Sequence, residues 1–102
     1  VAIDEIAERI RALDAYAIGG LGTLAQTAQM KEFASPLAQD DYVRALIAAN
    51  EKLVGDGARA RDTAGKANDA ESQDLMIGRI TLHQKTIWML KSYLKGACLT
   101  RC

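Results

Sequence analysis

Proline, phenylalanine, tryptophan and histidine each occur once in these 102 residues. Such scarcity of turn-forming proline and of aromatics, beside abundant alanine, argues against a β-sandwich or barrel and for helices. Neither sign of charge is in excess: 13 basic and 13 acidic residues give a formal net charge of zero. The chain therefore lacks the broad basic field that announces a nucleic-acid binder. No apolar run approaches the ~20 residues of a membrane-spanning helix, and no signal-peptide pattern opens the sequence. Cysteine is confined to Cys98 and Cys102. Two tail cysteines make no disulfide framework, and with no further Cys or His beside them they make no zinc site. They read as exposed thiols in a reducing compartment.

What is present is an ordinary soluble composition, 49% apolar and 25% charged, at a length that allows at most one domain. Four helical segments follow from periodicity. Residues 1 to about 16 place Ile3, Ile6, Ile10 and Leu13 on one stripe, and Gly19, Gly20 and Gly22 break the pattern. Thr23 to Phe33 is a short helix closed by Pro36. Asp40 to about Ala67 carries the face Val43, Leu46, Ile47, Asn50, Leu53 and Val54, weakened in its middle by Gly55 and Gly57. Asp69 to Lys95 carries Met76, Ile80, His83, Ile87, Leu90 and Leu94; Asn68 with Glu71 forms its capping pair, and Gly96 stops it. Residues 96–102 then form a flexible tail.

The first segment opens on an apolar position with no capping residue ahead of it. We therefore expect that the first helix starts upstream of Val1. It carries Asp4 and Glu8, whose spacing of four puts both carboxylates on one face, nearly opposite the apolar stripe and within reach of one metal ion. Hard oxygen ligands suit iron among other metals. The same spacing also fits a solvated face, with Glu5–Arg9 and Glu8–Arg11 as exposed ion pairs. Because Asp4 and Glu8 point away from the stripe, a second molecule is what would cover them.

Three stretches resemble the Dps family, the ferritin-like mini-ferritins of starved bacterial cells. Ile3-Asp4-Glu5-Ile-Ala-Glu8-Arg9, followed by Leu13 and Gly19-Gly20, is similar to that family's second bundle helix. The short helix with Met30-Lys-Glu-Phe33 behind it resembles the family's connection between its second and third bundle helices. His83-Gln-Lys85-Thr-Ile-Trp88-Met-Leu90-Lys-Ser-Tyr-Leu94 looks like the family's last helix. The resemblance covers residues 1–95 and implies an all-α fold. That fold is a ferritin-like four-helix bundle, seen without its first helix and part of its second, with a short cross-helix between the second and third.

It further implies a ferroxidase centre built across a two-fold interface, with Asp4 and Glu8 from one subunit and His ligands from its mate. Those His ligands would belong to an N-terminal segment outside these residues. His83 is not among them: it sits on an apolar stripe and reads as a satisfied core or interface residue. Trp88 would lie close to the metal ligands. Asp74, with Glu71 and Asp69, would line an acidic pore that admits iron, although Ala70 stands where the family has a further carboxylate. The implied function is oxidation of Fe(II), typically by hydrogen peroxide, storage of Fe(III) in a dodecameric shell, and protection of DNA in the bacterial cytoplasm, with the nucleoid as a possible site. Direct DNA binding gains little support, since Lys91, Lys95 and Arg101 are too few for a patch. The reading from another class is a non-enzymatic helical oligomerisation or interaction protein in which Asp4 and Glu8 are surface charges.

Overall fold

The computed structural model describes the backbone of residues 1–33 and 36–101, and side chains as far as Gly96. All regular structure among these residues is helical: α1 (Ala2–Ala12), α2 (Leu21–Ala28), α3 (Gln39–Lys66) and α4 (Ala70–Arg101). The order is the expected one, with a short helix between the first and the long pair. The chain forms two compact units, residues 1–32 and 33–102.

In the first unit α1 ends four residues earlier than periodicity suggests, and not at a glycine. Asp14 takes the left-handed conformation, φ 64°. The Asp14 N–H then bonds the Arg11 carbonyl at 2.9 Å and the Ala15 N–H bonds the Ile10 carbonyl at 3.1 Å. This is the paired Schellman arrangement, which satisfies carbonyls the helix would otherwise leave open. A short Asp side chain tolerates the left-handed region better than most. The Arg11 guanidinium reinforces the stop by donating to the Ala15 carbonyl at 3.0 Å. Residues 13–20 are non-helical, and Gly20 serves as the extended N-cap of α2. α2 spans Leu21–Ala28 rather than Thr23–Phe33, ending where Gln29 turns left-handed at φ 53°. Ile3, Ile6, Ala7 and Ile10 of α1 meet Ala17, Ile18 and Leu24 around an apolar cleft of about 240 Å³. That is the stripe predicted from spacings of three and four.

The second unit is the α3–α4 hairpin. Ile47 and Ile80, 8% and 7% exposed, are its most enclosed apolar residues. α3 continues unbroken through Gly55 and Gly57. Gly57 is a point of close approach: a Cβ there would stand 3.1 Å from Ile80 Cγ1. The glycine that costs local helix stability thus lets α4 pack close. A second Schellman stop closes α3, with the Asp69 N–H on the Ala64 carbonyl at 2.9 Å and the Asn68 N–H on the Gly65 carbonyl at 3.1 Å. Asn68, at φ 57°, is therefore the left-handed stop of α3 and not the N-cap of α4. The cap is Asp69, whose Oδ1 accepts the Ser72 backbone N–H at 3.1 Å. At its far end α4 runs through Gly96 to Arg101, where the sequence suggests a stop and a tail. Glycine ends a helix by turning left-handed, and no described glycine has a positive φ. Toward this end the Gln39 amide donates to the Tyr93 hydroxyl at 2.7 Å, tying α3 to α4. The thiol groups of Cys98 and Cys102 lie outside the described residues.

Candidate metal centre

Asp4 and Glu8 lie on α1 about 40° apart around the helix axis, both exposed, while Ile6, Ala7 and Ile10 on the other side are partly enclosed. The helix is well placed to carry acidic groups here, since Asp4 and Glu5 fall in its first turn, where the backbone dipole favours negative charge. Arg11 is spent on the Ala15 carbonyl, and no ion pair or hydrogen bond among the described residues engages Asp4 or Glu8. The expected Glu8–Arg11 pair does not form. What α1 presents is two adjacent carboxylates with their lone pairs open to solvent, a half-set of hard donors. Among the described residues no three His, Cys, Asp or Glu side chains come together as a complete metal-holding group. Oxygen from these two side chains must be completed by donors from elsewhere before an ion is enclosed.

The other candidates belong to the second unit. Trp88 is 64% exposed on α4, so it is not a core residue of the hairpin. Leu82 and Met89 of the same helix are also at least half exposed. Glu71 and Asp74 are exposed near the start of α4, three residues apart and on neighbouring positions of its surface. Asp69 is partly enclosed and committed through one carboxylate oxygen to capping α4. Ala70 beside it is exposed.

His83 is satisfied at both ring nitrogens. Its Nδ1 is 2.9 Å from Asn50 Oδ1 across the helix pair, and its Nε2 is 3.2 Å from Arg79 Nη2. The Asn50 amide nitrogen donates to the Leu46 carbonyl at 2.8 Å, which leaves Oδ1 as the acceptor. Arginine only donates, so the ring carries its proton on Nδ1 and accepts at Nε2. Burial, and secondarily the Arg79 charge, hold the ring's pKa below its usual value. A neutral imidazole so engaged offers no lone pair to a metal. Sequence reasoning placed Asn50 on the apolar face without assigning it a partner. The signal was there: a lone Asn and a lone His, each inside an apolar stripe, need one another.

Elsewhere, Asp56 accepts from Lys52 at 2.8 Å and from Arg59. The Lys52 hydrogen bond, opposed by slight desolvation, lowers its pKa from the ordinary carboxylate value. This is a surface ion cluster without a role in the candidate centre. No helix among the described residues is long and apolar enough to cross a membrane.

The ferritin-like domain family matches residues 2–97. A low temperature-induced protein of Nostoc sp. is 32% identical over 96 residues, which cover 92% of this chain and 54% of that protein. A DNA protection during starvation protein of Porphyromonas gingivalis is 32% identical over 97 residues, covering 89% of this chain and 57% of that protein. Among solved structures, Dps from Staphylococcus aureus superposes with a TM-score of 0.85 at 34% identity, covering 89% of this chain and 61% of its own. Dps from Thermosynechococcus elongatus gives a TM-score of 0.84 at 26% identity, with 89% and 58% covered. The chain thus spans little more than half the length of these curated relatives.

Proposed function

Since the chain belongs to the ferritin-like family, in its Dps branch, we propose that it contributes the carboxylate half of an iron-oxidising centre shared between two subunits. Fe(II) is the substrate. Asp4 and Glu8 hold it from α1, and imidazole donors come from a neighbouring subunit. Two such ions each surrender one electron; hydrogen peroxide takes both electrons and two protons and leaves as two waters, so no hydroxyl radical is released. The Fe(III) is stored inside a dodecameric shell in the bacterial cytoplasm, and DNA is spared the radical chemistry. Trp88 stands near the centre in this reading, and Glu71, Asp74 and Asp69 line an acidic entry path.

The observation that carries the reading is the exposed pair Asp4 and Glu8, engaged by no ion pair among the described residues, on the side of α1 opposite its apolar stripe. Arg11, three residues on from Glu8, is turned to the Ala15 carbonyl. Exposed large apolar side chains, Trp88 and Met89 among them, support burial against further copies.

The test uses the full-length protein. Peroxide-driven Fe(II) oxidation is followed by the near-ultraviolet absorbance of ferric oxide, for wild type, Asp4→Asn and Glu8→Gln. Loss of a ligand should slow oxidation by about 100-fold or more, by analogy with the ~10–100-fold lost when a supporting residue of a metal site is removed. Wild-type rates in both variants, with the assembly intact by light scattering, would refute the assignment.

A further inference from the structure

Apart from the carboxylate pair on α1, the α3–α4 hairpin holds a polar arrangement of its own, between Asn50 of α3 and His83 of α4. His83 is the chain's only histidine, and every hydrogen-bonding atom of its ring is engaged: Nδ1–H by Asn50 Oδ1 at 2.9 Å, Nε2 by the Arg79 guanidinium at 3.2 Å. Asn50 cannot reorient without cost, because its amide nitrogen is held by the Leu46 carbonyl at 2.8 Å. We propose that His83 is a proton-operated clasp: neutral, it ties α4 to α3, and protonated at Nε2 it loosens the hairpin.

Protonation turns Nε2 from acceptor into donor. The Arg79 bond is then lost, and an imidazolium faces a guanidinium at hydrogen-bond distance, so a bond becomes a like-charge repulsion. Among the described residues no carboxylate is bonded to the ring to answer the new charge. Asn50, the α3 partner, is neutral. Glu51 beside it is turned to Lys91 at 3.9 Å, and Asp56 to Lys52 and Arg59. On α4 itself the charge facing the ring is Arg79, which is also the charge that lowers its proton affinity after burial.

The sign follows from linkage. The folded ring binds a proton less readily than the unfolded one, so the unfolded state holds more protons as pH falls below about 6.5. Stability is full above that pH and is lost as pH falls through it, until the folded ring itself protonates. Over that interval each pH unit multiplies the opened population of the hairpin by up to about tenfold.

Amide hydrogen exchange of α3 and α4, corrected for its intrinsic pH dependence, reads this in the full-length protein between pH 7.5 and 5. Wild type should lose protection across the middle of the hairpin as pH falls below about 6.5, by at most about tenfold per pH unit. His83→Gln keeps a donor and an acceptor but takes no proton, and should be flat in this region. Arg79→Gln removes the repelling charge and should shrink the loss, which keeps the idea testable if His83→Gln does not fold. Wild-type protection unchanged over this range, or an undiminished acid loss in His83→Gln or in Arg79→Gln, would overturn the proposal.

Discussion

Replacing Gly57 by alanine puts the packing of the hairpin to a quantitative test. In a helix interior alanine is better than glycine by about 1 kcal/mol. Gly55, two residues earlier on α3, and Gly78 on α4 show what that preference gives without a neighbour, since a Cβ at either meets nothing within 4 Å. Gly55→Ala and Gly78→Ala should each raise the unfolding free energy by about 1 kcal/mol. At Gly57 the new methyl would stand 3.1 Å from Ile80 Cγ1 and 3.7 Å from Cδ1. Carbon atoms rest at about 3.5–4.0 Å, so Ile80 must retreat by several tenths of an ångström. Ile80 is only 7% exposed and, being β-branched, has little rotamer freedom with which to yield. Overpacking of this kind costs about 1–3 kcal/mol, which cancels or exceeds the propensity gain. Gly57→Ala should therefore fall short of Gly55→Ala by at least about 1 kcal/mol. Urea unfolding of the full-length protein, followed by far-ultraviolet circular dichroism, measures both. In the Ile80→Ala background the deficit should vanish, because both clashing carbons are gone. If Gly57→Ala stabilises as much as Gly55→Ala, the close crossing of α3 over α4 at Ile80 is wrong.

Two further outcomes follow from single residues. Asp69→Ala removes the oxygen that accepts the Ser72 N–H and should cost about 1 kcal/mol by thermal unfolding; an Asp69→Ala variant as stable as wild type would refute Asp69 as the cap of α4. Asn50→Leu strands the His83 Nδ1–H in a partly enclosed site and should cost about 1–3 kcal/mol; a neutral result would mean that water replaces the amide without penalty.

The element order was legible because periodicity records which face of each helix is apolar, and Ile3, Ile6, Ile10 on α1 line the cleft that spacing predicts. The ends were misjudged for a common reason. Gly19, Gly20, Gly22 and Gly96 look like stops, yet the left-handed positions among the described residues are Asp14, Gln29 and Asn68. Each of the Schellman stops at Asp14 and Asn68 needs two backbone bonds reaching back across the last turn, and that geometry leaves only a weak trace in residue type. The capping pair Asn68–Glu71 failed by one register position, since Asn68 was already used to end α3. For the candidate centre, the placement of Asp4 and Glu8 on one outward face follows from a spacing of four alone. That Arg11 would abandon Glu8 for the Ala15 carbonyl depends on where α1 ends.

What the amino-acid order determined by itself is therefore a set of amphipathic faces: four helices, one apolar stripe on each of the long ones, and two carboxylates held opposite a stripe. Those are local properties, set by about 3.6 residues per turn and by side-chain polarity. What tertiary structure decided is which groups meet. Gly57 is a weak point in an isolated helix and a packing point against Ile80. His83 and Asn50, polar blemishes on two separate stripes, become one neutral hydrogen-bonded pair when α3 and α4 cross. Partners distant in sequence are chosen by the helix crossing, and the crossing is a property of the packed pair that neither helix encodes alone.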